Sequence, residues 1–359
     1  MSRIKRVIRP ELLAQSAYHV QSSQGLLKLD AMESPFKLSG ELLQQWLQAI
    51  SSTSLNRYPD PTAGKAAKRF AEVFALAEDE GILFGNGSDE LLQILIQAVA
   101  ADGTKVLAPS PSFVMYETLC LWNRIEFVGV DLNADFSLNM PAMLEQINTH
   151  QPALIFLAQP NNPTANNWAV EDLQAIVECA EGLVVIDEAY YAYSDRHHLE
   201  WIRRYDNVVI VRTLSKQGFA GIRLGMLIAK QAWLDEFNKV RMPYNINVLT
   251  QATAEFVADA WEPLGLEAGQ LAENRQELSD SLVELGLEVF PSQANFLVVR
   301  TAHEGALLCN ELKARGVLIK NLCGTHPLFK HCVRITVSSI SDNTLLLSAI
   351  ESSLENLTS

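Results

Sequence analysis

Three short apolar runs in the middle of the chain each end abruptly in a polar cluster, and this pattern constrains the fold most strongly. Residues 153–158 lead into Gln-Pro-Asn-Asn-Pro-Thr, residues 183–186 into Asp-Glu-Ala-Tyr, and residues 208–211 into Arg-Thr-Leu-Ser-Lys. Runs of this length predict buried strands, and apolar residues at helical spacing between the first two predict a crossover helix. Strands joined by crossover helices run parallel, so we predict an α/β fold with a mostly parallel sheet.

The polar residues that follow these strands suit one kind of cofactor. Open α/β sheets bind ligands at the carboxyl edge of the strands, so we expect Asn162, Asp187 and Lys216 to share one crevice. Lys216 can form a Schiff base with an aldehyde, and Asp187 can pair with a protonated ring nitrogen. Asn162 and Tyr190 can both hydrogen-bond a phenolate oxygen. Together these groups predict a site for pyridoxal 5'-phosphate (PLP), with Lys216, Asp187 and Tyr190 as catalytic residues.

Each of these residues, taken singly, also has an ordinary structural explanation. An Asn-Pro pair is common in turns, an aspartate after a strand often caps a helix, and a tyrosine is often part of the core. The order of these residues on successive strands, rather than any one of them, favours the PLP site.

A glycine-rich segment predicts where a phosphate would bind. Residues 85–89, Gly-Asn-Gly-Ser-Asp, precede an apolar pattern at helical spacing. Glycine lets the backbone approach an anion closely, and the free N–H groups at a helix start favour a phosphate. A plain turn with a Ser or Asp cap would explain the same segment, but Thr213, Ser215 and Arg223 add weight to the phosphate. We expect Asp89, in spite of its charge, to point away and cap its own helix.

These motifs resemble those of fold-type I PLP-dependent aminotransferases, and more narrowly those of histidinol-phosphate aminotransferases. The resemblance rests on Asn-Pro-Thr at 162–164, Asp-Glu-Ala-Tyr at 187–190, Thr-Leu-Ser-Lys at 213–216 and Gly-Ile-Arg-Leu-Gly at 221–225. Supporting segments lie at 56–60, 87–90, 114–116 and 333–337. The resemblance implies a mostly parallel central sheet sandwiched by helices, with a smaller α+β carboxyl-terminal domain. It also implies transamination of L-histidinol phosphate with 2-oxoglutarate, giving imidazole acetol phosphate and glutamate.

The resemblance also implies roles for individual positions. Tyr116 would stack on the cofactor ring, and Tyr58 would reach the cofactor phosphate in the partner subunit, so a homodimer is expected. Arg334 and Lys320 would bind the anionic group of the substrate, with Tyr18 closing over it. The implied cofactor-binding set is Gly87, Ser88, Asp89, Tyr116, Asn162, Asp187, Tyr190, Thr213, Ser215, Lys216, Arg223 and Tyr58.

The chain departs from the family pattern at three places. Ala165 stands where glycine is commoner, which restricts the turn without removing a functional group. Met-Glu-Ser-Pro at 32–35 replaces Asn-Glu-Asn-Pro. Lys320 replaces an arginine, which keeps the charge but loses bidentate geometry. The lysine at 320 bears on the identity of the substrate more than on the reaction type. The alternatives are an aromatic amino acid aminotransferase and a threonine-phosphate decarboxylase, which also need Lys216, Asp187 and an anion-binding Arg334. A PLP-binding regulatory protein is disfavoured because no basic helix-turn-helix segment is visible.

The length of the chain predicts more than one domain. Its 359 residues, of which 48% are hydrophobic, can bury a large core. We predict an amino-terminal arm at 1–35, a large PLP-binding domain at 36–245 and a small carboxyl-terminal domain at 246–359.

Charge and cysteine usage narrow the partners and the compartment. The net charge of −14 opposes binding to nucleic acid or to anionic membranes, and local arginines would bind small anionic substrates. No apolar stretch has the length of a membrane span, and the amino terminus lacks the apolar core of a signal peptide. The odd number of cysteines fits a reducing cytoplasm. The Cys and His residues at 323–332 fit no common zinc spacing, so we expect no metal.

Overall fold

The computed structural model describes residues 2–17 and 20–358, and its strands form three sheets. The strands are β1 (Leu27–Lys28), β2 (Glu80–Asn86), β3 (Lys105–Ser110), β4 (Glu126–Asp131), β5 (Leu154–Ala158), β6 (Leu183–Asp187), β7 (Val208–Thr213), β8 (Leu224–Lys230), β9 (Glu288–Val289), β10 (Phe296–Arg300), β11 (Val317–Leu318), β12 (Lys320–Asn321) and β13 (Cys332–Thr336). The seven-stranded sheet has the order β2-β8-β7-β6-β5-β3-β4. Strand β8 runs antiparallel to both neighbours, and the other neighbouring pairs are parallel.

Helices cover both faces of this central sheet. The helices are α1 (Arg3–Val7), α2 (Pro10–Leu13), α3 (Gly40–Ser51), α4 (Gly64–Val73), α5 (Ser88–Val99), α6 (Met115–Asn123), α7 (Met140–His150), α8 (Val170–Cys179), α9 (Trp201–Arg204), α10 (Gln231–Asn238), α11 (Val248–Asp259), α12 (Trp261–Glu284), α13 (Gly305–Ala314) and α14 (Ile340–Thr358). In the part of the chain that the structure describes, none of them has the length and apolar character needed to cross a membrane.

The central strands are buried on both sides, which explains their continuous apolar sequences. Along β5, Ile155 and Leu157 pack into one hydrophobic core while Leu154 and Phe156 pack into another on the opposite face. Successive side chains of a strand point to opposite faces, so a strand between two helical layers needs apolar residues at every position. The predicted α/β class with a mostly parallel sheet sandwiched by helices is confirmed.

A second, four-stranded antiparallel sheet follows in the carboxyl-terminal part, in the order β12-β13-β10-β9. Helix α12 precedes the first strand of this sheet, β9, and α13 follows β10. Gly316 follows α13 with a φ of 86°, a left-handed conformation that glycine adopts without strain. Strand β1 pairs in parallel with β11, so residues near the amino terminus are joined to this smaller unit. The domain boundaries near residues 35 and 245 stay predictions.

Candidate active site

The carboxyl ends of β5, β6 and β7 open onto one cavity. Because these strands are adjacent and parallel, the residues that follow them lie at the same edge of the sheet. The residues that line the cavity include Ser88, Asn162, Asp187, Tyr190, Thr213, Ser215, Lys216 and Arg223, all of which the sequence predicts as site residues. The expected convergence of Asn162, Asp187 and Lys216 on one crevice is therefore what the structure shows.

The surroundings of Lys216 favour the neutral form of its amine, which is the form that acts as a nucleophile. Its Nζ donates a hydrogen bond to the carbonyl of Ala31 at 3.3 Å and lies 5.7 Å from the centre of the Tyr190 ring. Burial, and then the positive charge of Arg334, lower the pKa of Lys216 to about 8. A larger fraction of this amine is neutral at neutral pH than for a lysine on the surface.

Asp187 is buried and is held by donors on both carboxylate oxygens. Its Oδ2 accepts a hydrogen bond from the Tyr116 hydroxyl at 2.8 Å, and its Oδ1 accepts one from the Ala189 N–H at 3.1 Å. Burial raises the pKa of Asp187 to about 6, against the opposing effect of these two donors. A cationic partner would lower that pKa, so the site suits a group with a protonated ring nitrogen.

A buried ion cluster behind the cavity ties the ends of β6 and β7 together. Glu188 accepts hydrogen bonds from Nε and a terminal nitrogen of Arg212 at 2.9 and 2.8 Å, and from the backbone and ring of His198. Burial alone would raise the pKa of Glu188, but the Arg212 charge and the His198 hydrogen bond lower it to about 2. Glu188 directly follows Asp187, and Arg212 directly precedes Thr213. The ion pair between Glu188 and Arg212 therefore keeps the ends of β6 and β7 in register.

The backbone at the start of α5, around Gly87, packs closely against the segment 223–225, and we call this region the cradle. Gly87 has a φ of 76°, and a Cβ at this position would collide with the guanidinium of Arg223. A Cβ on Gly225 would lie 2.5 Å from the carbonyl carbon of Gly87, which is far too close. Both glycines are therefore needed for the close approach of the two segments. Ser88 and Asp89, the first two residues of α5, both line the cavity, and the N–H groups of the first turn of a helix have no partner within the helix.

Hydroxyl and guanidinium groups surround this cradle. The Ser215 N–H donates to the Thr213 hydroxyl at 3.1 Å, and Arg223 donates to the Ser215 hydroxyl at 3.3 Å. Asp89 accepts a hydrogen bond from Arg223 at 3.3 Å. The expectation that Asp89 caps α5 is wrong, because the helix begins at Ser88 and Gly87 occupies the cap position. Asp89 instead neutralises Arg223 from within the first turn.

Arg334 approaches the cavity from the smaller sheet. It is 9% exposed, and its guanidinium donates to Asn162 Oδ1 at 2.6 Å and to the Asp30 carbonyl at 3.0 Å. Arg334 lies on β13, and every residue of this strand is buried. Lys320 is the direct cross-strand partner of Arg334, so both side chains leave the sheet on the same face. Lys320 is exposed, whereas Arg334 is buried.

The structure corrects the position of the predicted stacking residue. Tyr116 is 1% exposed and packs in parallel on Phe156, with ring centres 4.6 Å apart, while its hydroxyl reaches Asp187. A ring enclosed in this way has no free face for a cofactor. Phe113 lines the cavity and stands edge-on to Tyr116. Sequence reasoning missed Phe113, although it follows β3 at the same carboxyl edge while Tyr116 lies inside α6.

Two other predicted residues lie away from the cavity or outside the described ranges. Tyr58 is 82% exposed and stacks on Tyr244 at 4.7 Å. It lies on the surface of its own subunit, so its predicted contact across a dimer stays a prediction. Tyr18 falls outside the described residues.

Residues 30–32 also contribute to the site, and sequence reasoning missed them. Carbonyl groups of Asp30 and Ala31 accept hydrogen bonds from Arg334 and Lys216, and the Met32 N–H donates to the Thr336 hydroxyl at 3.0 Å. Met32 also lines the cavity and has a φ of 54°. The available signal was the segment at 32–35, which departs from the family pattern. Ala165 likewise has a φ of 67°, which explains why glycine is commoner there.

The donor set fits PLP on structural grounds. A lysine with a lowered pKa, a buried carboxylate and an amide converge beside a backbone cradle lined with hydroxyls and a guanidinium. These groups can bind an aldehyde, a ring nitrogen, a phenolate oxygen and a phosphate respectively. Among residues 2–17 and 20–358 the structure contains no group of three or more His, Cys, Asp or Glu side chains that could hold a metal ion.

Comparison with known proteins gives one consistent family. The sequence model described as aminotransferase class I and II matches residues 24–350. The chain is 46% identical over 349 residues to the histidinol-phosphate aminotransferase of Chromobacterium violaceum, covering 97% of this chain and 98% of that protein. It is 44% identical over 356 residues to histidinol-phosphate aminotransferase 2 of Nitrosococcus oceani, covering 99% of both.

Solved structures agree with this fold. The histidinol-phosphate aminotransferase of Sinorhizobium meliloti, solved in complex with pyridoxal-5'-phosphate, superposes with a TM-score of 0.86. It is 23% identical, and the match covers 98% of each chain.

Proposed function

The chain belongs to the class I and II aminotransferases, and on this premise we propose that it transaminates L-histidinol phosphate with 2-oxoglutarate. The products would be imidazole acetol phosphate and glutamate, in histidine biosynthesis. The similarity to two histidinol-phosphate aminotransferases over nearly their full lengths supports the substrate. The observation that carries the reaction type is the convergence of Lys216, Asp187 and Asn162 at one sheet edge, with Arg334 bonded to Asn162.

PLP, when bound, supplies a ring that accepts the electron pair released as a bond at the substrate carbon breaks. Lys216 anchors the cofactor aldehyde, and its free amine carries a proton to or from the substrate carbon. Asp187 holds a proton on the ring nitrogen. Asn162 and Tyr190 hydrogen-bond the phenolate oxygen, and Phe113 takes the ring-stacking role first assigned to Tyr116.

The cradle at the start of α5 would bind the cofactor phosphate. Gly87, Ser88 and Asp89 would contribute backbone N–H groups, because α5 begins at Ser88 and the first turn of a helix has free donors. Thr213 and Ser215 would add hydroxyl donors. Arg223 would supply the positive charge, shifting its hydrogen bond from Asp89 towards the phosphate.

Substrate anions would be recognised by the two cations of the smaller sheet. The guanidinium of Arg334 donates to Asn162, which lines the cavity, and Lys320 lies beside Arg334 across β12 and β13. The amino substrate and 2-oxoglutarate are both anionic, so one guanidinium can serve a phosphate in one half-reaction and a carboxylate in the other. Tyr18 stays a predicted cover for the same site.

The test is the visible absorption spectrum of the PLP-loaded protein before and after addition of L-histidinol phosphate without a keto acid. We expect the band of lysine-bound PLP to be replaced by that of pyridoxamine phosphate. A band that responds to phenylalanine or tyrosine but not to histidinol phosphate would transfer the substrate assignment to the aromatic alternative. Release of carbon dioxide from threonine phosphate would establish the decarboxylase instead. No band after PLP addition would contradict the enzyme assignment.

The low pKa of Lys216 predicts how covalent PLP capture depends on pH. Only the neutral amine attacks the aldehyde, so the capture rate should rise about tenfold per pH unit below the amine pKa and level off above it. We expect this plateau above a pH of about 8, rather than near the ordinary lysine value of 10.5. Stopped-flow absorbance of the apoprotein mixed with PLP across this range checks the prediction. A rate that is still climbing tenfold per unit above pH 9 would contradict it.

A homodimer would complete the site. Leu55, Tyr58, Tyr244 and Leu249 are exposed and line one open depression of the surface, in which Tyr58 and Tyr244 are stacked on one another. Exposed apolar groups clustered in this way are typical of subunit interfaces. Tyr58 of the partner subunit would then reach the cofactor phosphate. The odd cysteine count and the biosynthetic role favour the cytoplasm as the location.

Mixing two inactive or weakened variants tests the crossing of Tyr58. In a heterodimer of Lys216→Ala and Tyr58→Ala subunits, one site would contain an intact Lys216 and an intact Tyr58 from the other subunit. We expect mixing at limiting PLP to restore about a quarter of wild-type activity, because about half of the dimers are mixed and each has one native site. Each variant alone serves as control. If Tyr58 acted in its own subunit, mixing would restore nothing.

A further inference from the structure

The hydroxyl is the only polar group of the Tyr116 side chain, and it contacts the carboxylate of Asp187. The ring is 1% exposed and lies between Phe156, at 4.6 Å in parallel, and Phe113, at 5.7 Å edge-on. Its hydroxyl donates to Asp187 Oδ2 at 2.8 Å. A phenylalanine would fill the same space equally well, so packing alone does not explain the hydroxyl. A buried hydroxyl needs a partner, and here the partner is the carboxylate at the centre of the site.

The second carboxylate oxygen is held from the other side. Asp187 Oδ1 accepts from the Ala189 N–H at 3.1 Å, which leaves the plane of the carboxylate set by one backbone donor and one side-chain donor. The backbone donor is present whatever residue stands at position 116. Tyr116 therefore determines how the second oxygen is oriented and how well its negative charge is stabilised.

We propose that Tyr116 is a positioning residue, which orients Asp187 and stabilises its charged form so that Asp187 keeps a proton on the ring nitrogen of bound PLP. This inference rests on the proposed function. The chemical reason is that a carboxylate with a strong hydrogen-bond donor pairs with a cationic ring, whereas a protonated carboxyl cannot. Tyr116 acts through Asp187 and needs no contact with the cofactor itself.

The other acidic groups around Asp187 destabilise its negatively charged form. Asp89 on α5 and Glu188 on its own strand both raise the pKa of Asp187, after the larger effect of burial. Glu188 is turned to the opposite side of the sheet, where it pairs with Arg212 and His198. Burial raises the pKa of the Tyr190 phenol above its ordinary value, so it stays neutral. Tyr116 is thus the side chain that opposes these effects by a direct hydrogen bond.

The place of the proton shared by the ring nitrogen and Asp187 is the measurement that separates positioning from packing. It is read by NMR from isotope-labelled ring nitrogen in the intact PLP-loaded protein, at pH values where this pair holds one proton. In Tyr116→Phe we expect the ratio of the ring-protonated form to the carboxyl-protonated form to fall about tenfold, the value of one charge-assisted hydrogen bond. We also expect kcat to fall about tenfold while KM for the amino substrate changes less than about twofold.

Two further variants make the result specific. Tyr191→Phe removes another buried phenol hydroxyl, one that donates to Gln217 at 3.2 Å rather than to Asp187, and should leave the ratio of the two protonated forms unchanged. A ring-fluorinated tyrosine at position 116 keeps the packing but is a stronger donor. It should raise the ratio of the ring-protonated form to the carboxyl-protonated form, which tests the proposal even if Tyr116→Phe fails to fold.

Different failures have different meanings. If wild-type protein binds PLP but the ratio of the two protonated forms is the same in Tyr116→Phe and in the fluorinated protein, Tyr116 is only a core residue and the inference is overturned. An equal fall of this ratio in Tyr191→Phe would also overturn it, because the effect would then be general to buried phenols. If wild-type protein forms no PLP band at all, the proposed function fails instead.

Discussion

Lys216→Ala is expected to lower transamination by about 10⁴-fold or more while the protein still binds PLP noncovalently. The variant loses both the anchor for the cofactor aldehyde and the amine that carries the proton, and proton transfer alone is worth about 10²–10⁴-fold. The phosphate cradle formed by Gly87, Ser88, Thr213, Ser215 and Arg223 is untouched. Steady-state assays with histidinol phosphate and 2-oxoglutarate, together with equilibrium dialysis of PLP, measure the two effects separately.

Lys216→Arg is the matched control for this prediction. It keeps a positive charge at the position but cannot form the covalent bond, so it should be as inactive as the alanine variant. We expect the apoprotein of Lys216→Ala to be no less stable than the wild type, because the wild-type amine is desolvated, as its lowered pKa indicates. Near-normal turnover in either variant would show that another residue performs the chemistry.

Arg334→Ala is expected to lower kcat/KM for histidinol phosphate by about 10²–10³-fold, with PLP affinity changed less than about threefold. A guanidinium can form two charge-assisted hydrogen bonds to a phosphate or carboxylate, and each is worth about 1.5–3 kcal/mol. Arg334 lies on β13 in the smaller sheet, away from the phosphate cradle at α5. Its loss should therefore affect the substrate more than the cofactor. Kinetics and PLP titration of the same preparation provide the comparison.

Arg334→Lys and Lys320→Ala complete this test. Lysine keeps the charge but not the planar fork, so Arg334→Lys should recover only part of the loss. Lys320 is exposed and is the cross-strand neighbour of Arg334, so Lys320→Ala should have a smaller effect than Arg334→Ala. If PLP and substrate affinity fell equally in Arg334→Ala, the guanidinium would be a structural support for Asn162, to which it donates at 2.6 Å.

The sequence by itself determined where the central strands lie, that they pair in parallel, and which chemical groups follow their carboxyl ends. Strand β5 and its neighbours could be predicted because burial on both faces requires an uninterrupted apolar run, which is a local property. Parallel pairing follows from the crossover helix α8, and it places Asn162, Asp187 and Lys216 at one edge without knowledge of any contact. The cofactor, the reaction type and the family can all be inferred from the residues at that edge.

Only the tertiary structure decided which aromatic ring faces the cavity and which groups hold the catalytic side chains. Phe113 and Tyr116 are both aromatic and lie three positions apart, so the direction of each depends on how α6 packs against β5 and β6. Asp89 pairs with Arg223 across a long separation in sequence instead of capping its helix. The carbonyls of Asp30 and Ala31 are available in any residue type, so their hydrogen bonds to Arg334 and Lys216 leave no mark in the sequence.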